Sequence, residues 1–304
     1  MRRNLLALTT ATAAFGTLLL AACGTQQAAT RPLGTPPADS GSPSCTTSDG
    51  PTTPSQLPSP GAETEETDGV RLVGAPGCQE FEVTNTTGST ATFTITYQLM
   101  SNSGAALSSS RQTVDSLRPG VTVRRAVEAG GAPAGTSSAT HVQIIHVRSV
   151  PTAEAPASSG PCSRSGVHLY ADDGDAAMGL RVVGLHLRNC GTRPYTLDGY
   201  PQVRLFDAGH RAIGTVRILH GGDAVAAGTG ADGAPKPLVL KPGEGAQAGL
   251  VWRNTTGQGS DPVNAPYVRV VAKPGAAPVV VTPELDLGTT GRLAVGPWKA
   301  DGTS

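Results

Sequence analysis

Asp172-Asp173-Gly174-Asp175 places three carboxylates within four residues. Such a group can gather a calcium ion or supply the acid and base of a hydrolase. A calcium site needs several oxygens converging on one ion, and this spacing is not that of an EF-hand loop. Asp-Gly is also a hairpin signal, so we expect a turn here. Gly228-Thr229-Gly230-Ala231-Asp232-Gly233 matches G-x-G-x-x-G letter for letter. Ala-Pro-Lys-Pro follows it and cannot open the helix that a pyrophosphate needs, so a flexible loop is expected instead. The chain has no G-x-S-x-G, no S-x-x-K and no H-E-x-x-H, which are common serine-nucleophile and zinc signatures.

The six His are scattered. His141 and His146 are five apart in a β-rich run, and odd spacing on a regular strand sets them on opposite faces. They are not expected to share a metal. His186 falls on an outward face, and His210 and His220 fall in turns. Thr92, Thr94 and Thr96 form a hydroxyl row that could meet sugar hydroxyls or a flat partner. Arg124-Arg125 could meet an anionic wall polymer or lipid. A solvated face of high β propensity is the plainer account of both.

These residues need strands to position them. Phe93, Ile95, Tyr97 and Leu99 alternate with Thr92, Thr94, Thr96 and Gln98, which is period two with one apolar face. Further strands are expected over 121–124, 141–150, 167–170, 180–188, 202–207, 246–252, 267–272 and 279–281. Trp252 shares a face with Leu250 and is expected in the core. No helical stripe follows residue 23. The two halves also share an order of short signatures. Asn85-Thr86-Thr87-Gly88 corresponds to Asn189-Cys190-Gly191, and Ser103-Gly104 to Ala208-Gly209. Leu117-Arg118-Pro119-Gly120 corresponds to Leu240-Lys241-Pro242-Gly243. The second half carries a Gly- and Ala-rich insertion, about 214–237. We therefore expect an all-β protein with two tandem immunoglobulin-like β-sandwiches. The small first sandwich is expected over 69–150, a linker over 151–160 and the second sandwich over 161–298.

Arg2 and Arg3 precede an uncharged apolar run over 5–22, as in a secretory signal. Leu20-Ala21-Ala22-Cys23 ends it and resembles the lipobox of bacterial lipoproteins. That resemblance implies cleavage before Cys23 and acylation of its thiol with palmitate-like chains. Two chains suffice for stable membrane anchoring. Arg2-Arg3 also looks faintly like a twin-arginine signal, although general export is the simpler expectation. Residues 23–68 are rich in Pro, Ser and Thr with almost no large apolar side chain, so we expect a disordered tether.

Four Cys remain beside Cys23, an even number that suits two disulfides outside the cytoplasm. They allow three pairings. Cys162 with Cys190 and Cys45 with Cys78 keeps both bridges local and is favoured. No C-x-x-C pair suggests a metal.

The second half carries a more specific resemblance. Its elements are Gly160-Pro161-Cys162, Leu187-Arg188-Asn189-Cys190-Gly191, Leu197-Asp198-Gly199-Tyr200-Pro201, Val203-Arg204-Leu205, Gly209 and the Leu240 motif through Trp252. Over about 160–297 the chain resembles the actinobacterial domain of unknown function 4232, common in secreted proteins and lipoproteins. The resemblance implies a β-sandwich and supports the Cys162–Cys190 bridge. It implies no reaction, ligand or catalytic residue. The first half is only loosely similar to immunoglobulin-like bacterial surface modules.

Composition narrows the function further. Lys plus Arg equals Asp plus Glu at 23 each, which argues against a nucleic-acid partner. Gly (39) and Pro (25) make about a fifth of the chain, against a usual share of about 12%. We expect a lipid-anchored protein on the extracytoplasmic face of the cell membrane, acting as a non-catalytic binding or adaptor module toward cell-wall polymer or another envelope protein. No catalytic residue, metal or cofactor is expected. The alternatives are a hydrolase using Asp172, Asp173 or Asp175 in a loop, or a ligand-binding receptor.

Overall fold

Alternation of β-branched and aromatic residues with Thr, Ser and Arg builds strands throughout the computed structural model. It describes residues 67–74, 79–128, 139–163, 165–257 and 261–302, without the side chains of 139 and 140. The expected signal peptide (1–22), Cys23, the tether to residue 66 and the Cys45–Cys78 bridge lie outside the described residues. Among the described residues no helix is long and apolar enough to cross a membrane.

The first half contains β1 (Val70–Val73), β2 (Glu80–Thr84), β3 (Ala91–Ser101), β4 (Ala106–Leu117), β5 (Thr122–Ala126) and β6 (Ala139–Pro151). They form two antiparallel sheets, ordered β1-β2-β5 and β4-β3-β6. Phe81 and Val83 of the first sheet pack against Phe93, Ile95 and Tyr97 of the second. A 3-10 turn over Thr152–Glu154 follows.

The second half holds β7 (Val167–Ala171), β8 (Asp175–Ala177), β9 (Leu180–Asn189), β10 (Tyr195–Leu197), β11 (Gln202–Phe206), β12 (Arg217–His220), β13 (Leu238–Leu240) and β14 (Gly245–Arg253). It continues with β15 (Asn264–Ala265), β16 (Tyr267–Val271), β17 (Val279–Val281), β18 (Leu285–Asp286), β19 (Arg292–Val295) and β20 (Lys299–Ala300). The large sheet runs β12-β19-β14-β9-β7, and β11-β16-β17 faces it. Leu185, Leu187, Leu250, Trp252, Val268 and Trp298 lie in the shared core. The protein is thus all-β, with sheets stacked as in a β-sandwich.

The repeated signatures do the same work in both halves. Asn85 and Asn189 are fully buried. Asn85 Nδ2 donates to Leu117 O (2.6 Å) and Ser89 O (2.9 Å), while its Oδ1 accepts from Thr87 N–H (2.9 Å). Asn189 Nδ2 donates to Leu240 O (2.9 Å) and Arg193 O (2.8 Å), while its Oδ1 accepts from Gly191 N–H (3.1 Å). Gly120 N–H meets Asn85 O and Gly243 N–H meets Asn189 O. Both glycines have positive φ, at 72° and 87°, which an L side chain rarely adopts. Each Asn therefore fastens the end of one strand to the Leu-x-Pro-Gly turn that begins another.

Three local expectations are corrected. Asp172-Asp173-Gly174 is a bulge, not a hairpin. β7 and β8 both pair with β9, and three residues there oppose Val183 and Gly184. The hairpin comes later, at Met178-Gly179, where both φ angles are positive, as a type I′ turn requires. His141 and His146 share a face. A register shift on β6 pairs Thr96 with His146 but Tyr97 with Ile144, so Ile145 restores parity. Four residues of partner strand still hold them about 13 Å apart. The Gly228–Gly233 stretch is packed rather than free. Ala231 is buried against Val251 and Ala294, and Ala231 O accepts from Gly222 N–H.

Candidate functional site

Facing Thr side chains of two neighbouring strands open a cleft. The outer face of β3 presents Thr92, Thr94 and Thr96. Cross-strand pairing sets Thr113 and Arg148 on either side of Thr94, and Arg111 and His146 on either side of Thr96. Opposite them run 156–158, the end of β7 with its bulge, and 281–284. Together they enclose a cleft of about 490 Å³ lined by Thr92, Thr94, Thr113, Asp115, Tyr170 and Asp172, among others.

Paired charges fix its walls. Arg148 donates from Nε and Nη2 to the two oxygens of Glu284, each at 2.7 Å. Burial opposes the Arg148 charge, but the Glu284 hydrogen bonds and charge outweigh it and hold its pKa above the ordinary value. Glu284 sits at φ 54°, in the left-handed region. His146 Nε2 lies 3.7 Å from Glu284 Oε1. Burial lowers the His146 pKa, Glu284 works against that, and Arg148 and Arg111 add to the lowering. At the rim Arg111 Nη2 donates to Asp173 at 3.2 Å. Behind the cleft Arg269 makes a second two-pronged pair with Glu154, at 2.8 and 2.7 Å. Val150, Tyr267 and Val280 pack in the same junction. Bidentate pairs of this kind set direction as well as energy, so the two walls are held in one geometry.

Asp172 is spent on the bulge. Its Oδ1 accepts from Gly174 N–H (3.0 Å) and Gly184 N–H (2.8 Å), and its Oδ2 contacts His186 Nε2 at 2.9 Å. The His186 ring stacks on Tyr170, with centroids 5.0 Å apart. Asp175, on β8, pairs with Val182 of β9 and does not line the cleft. Among the described residues no group of three or more His, Cys, Asp and Glu is arranged for a metal.

The structure thus brings Thr92 and Thr94 together with Asp172 and Asp173. Thr96 lies one step along the same row. Arg124 is not free for an anionic polymer, because Nε and Nη2 donate to Glu82 Oε2 at 2.9 and 2.7 Å. Arg71 holds the other oxygen of Glu82. These two arginines keep the Glu82 pKa below the usual carboxylate value against the opposing effect of burial. Arg111, Thr113, Asp115, Arg148 and Glu284 were not expected in a site. The alternation of Arg111, Thr113 and Asp115 was a visible signal; Glu284 gave none.

Fold and cleft define an all-β protein whose second half is closed by the Cys162–Cys190 disulfide. That half also matches a known family. Residues 162–299 match the family model described as Domain of unknown function (DUF4232). None of the curated proteins matches the chain.

Proposed function

We propose that the protein is a non-catalytic binding module of the cell envelope, anchored through lipidated Cys23 to the extracytoplasmic face of the cell membrane. Two immunoglobulin-like sandwich domains, 69–150 and 161–298, stand on the 23–68 tether. The matched Asn85 and Asn189 arrangements support this division. The ligand is a polyhydroxylated chain of cell-wall polymer seated in the cleft. One observation carries the reading: the cleft is walled by the Thr94 and Thr113 hydroxyls and the Tyr170 ring, while Asp172 and Glu284 have both oxygens engaged. Hydroxyls beside an aromatic ring suit sugar, whose hydroxyls exchange hydrogen bonds and whose apolar face stacks. Asp172, tied to two backbone amides and His186, is poorly placed to act as acid or base, which weighs against its part in the hydrolase reading.

Co-sedimentation with purified cell-wall sacculi across a salt series tests the ligand. Saturable binding is expected, with a loss of at least tenfold in Thr94→Val/Thr113→Val. Absence of saturable binding, or equal binding by the variant, would overturn it. The anchor is tested separately. Cys23→Ser should leave the membrane fraction or fail to be processed, and unchanged fractionation with unchanged processing would refute it.

A further inference from the structure

Several arginines in this protein have carboxylate partners. Arg71 and Arg124 hold Glu82, Arg148 holds Glu284, Arg269 holds Glu154, Arg211 holds Asp207 and Arg111 holds Asp173. Arg217, Arg292 and Arg253 are not among them. They are exposed, and among the described residues none of them has a carboxylate partner.

They are also side by side. β12 pairs with β19 in parallel and sets Arg217 beside Arg292. β14 pairs with β19 so that Val251 faces Ala294, and continuing that register sets Arg253 on the other side of Arg292. All three point the same way. Leu219, Ala294 and Val251 lie two residues from them on the three strands and share one cluster on the outer face of the large sheet. The alternate residues Leu293 and Trp252 enter the main core. Arg253 and Arg292 line an open cleft of about 330 Å³ with Ala224, Val225 and Thr290. Asp223, in the turn beside it, folds its carboxylate back on Gly221.

Adjacent strands are about 4.8 Å apart, so the three stems span about 10 Å. Like charges directly opposite on a sheet repel. A sheet that sets three of them in a row, with no acid between, concentrates positive charge on one face. Guanidinium forks match the paired oxygens of phosphate.

The geometry points to a binding site for phosphate-type oxyanions on this outer face, with Arg292 at its centre and Arg217 and Arg253 flanking it. A row this long suits a ligand carrying two linked phosphate groups better than a single one. The source is either a soluble phosphorylated molecule or the headgroups of a phospholipid surface. The site is separate from the threonine-lined cleft and does not depend on the function proposed for it.

Thermal melts of the purified chain with pyrophosphate, inorganic phosphate and chloride at equal ionic strength test the site. Pyrophosphate should raise Tm saturably and more than phosphate, and chloride should not. Arg292→Gln should weaken pyrophosphate binding at least tenfold and melt no lower than the parent in phosphate-free buffer. Arg125→Gln, on β5, should bind as the parent does. Flotation with phosphatidylglycerol vesicles against phosphatidylcholine vesicles separates the sources. Arg292-dependent capture by the anionic vesicles, without a pyrophosphate response, assigns the site to headgroups. No response to either probe, a chloride effect equal to that of pyrophosphate, or undiminished binding by Arg292→Gln would overturn the proposal.

Discussion

The two halves solve one problem with the same side chain and then diverge. Asn85 and Asn189 each satisfy a Leu carbonyl, a carbonyl four residues on and an amide two residues on. The sheets around them correspond as well. β1-β2-β5 runs as β7-β9-β14 does, and β3 pairs with β6 as β11 pairs with β16. The reinforcement differs. In the second half the residue after the Asn is Cys190, bonded to Cys162, and Ala231 covers the outer face of the sheet. In the first half Thr86 takes the Cys position, and the outer face of β2 carries Glu82 between Arg71 and Arg124. A buried amide can therefore define a sandwich corner alone, and covalent closure is an addition to it.

Replacing the amide breaks the comparison most severely. Asn85→Ala strands the buried Leu117 carbonyl and removes the bonds to Ser89 O and Thr87 N–H, at a cost of about 3–5 kcal/mol. Asn189→Ala should cost less while the disulfide holds the same corner, and the two costs should converge on reduction. Urea denaturation measures both, and hydrogen exchange should localise the damage near residues 117–120 or 240–243. Equal costs under oxidising conditions would show that the bridge does not share the load.

Removing the bridge is next. Cys162→Ser/Cys190→Ser opens a loop of sequence separation 28, which the chain-entropy model places at roughly 3–4 kcal/mol. The loss should leave hydrogen-exchange protection around Phe93 unchanged if the two cores are separate units.

The covered face gives a smaller effect. A Cβ on Gly249 would come within 2.6 Å of the Ala231 Cβ, and one on Gly296 within 2.8 Å. Gly249→Ala should cost about 1–3 kcal/mol by overpacking, read as a lowered Tm. Gly249→Ala combined with Ala231→Gly should recover most of it. A neutral Gly249→Ala would mean that the 221–233 segment lifts off without penalty.

The amide device shows why part of this protein was legible in the sequence. Asn, Gly and Leu-x-Pro-Gly recur because each answers a backbone requirement that only a few residue types meet. The long strands were legible for a related reason, since one wet face gives period two. β19 was not. Leu293, Ala294 and Val295 are all buried, one face by the core and the other by Ala231, so alternation vanishes. The bulges at 172–174 and Ile145 were equally silent, because one extra residue leaves composition unchanged while moving every side chain beyond it. The cleft draws on β3, β4, β7 and 281–284, and no local window contains it. Its threonines were visible as a row, but Arg148 and Glu284 acquire meaning only once segments 136 residues apart in sequence meet.

The junction between the halves supplies the finest test. His146 faces Glu284, Arg148 and Arg111, and His210 faces Asp68, Asp207 and Arg148. Burial lowers both pKa values, so the folded protein binds these protons less tightly than the unfolded chain does. An unfolded His titrates near about 6.5. Stability from this source is thus complete above that pH and is lost as pH falls through it toward the lower folded values. Glu82, whose pKa is also lowered, adds a second loss at more acid pH, below about 4.3. Urea midpoints between pH 8 and 5 should fall, and His146→Gln/His210→Gln should flatten that slope while leaving the acid limb in place. Arg71→Gln/Arg124→Gln should do the reverse. A double His variant with an unchanged slope would show that the junction opens to water before it titrates, and that the two halves meet less tightly than either holds its own core.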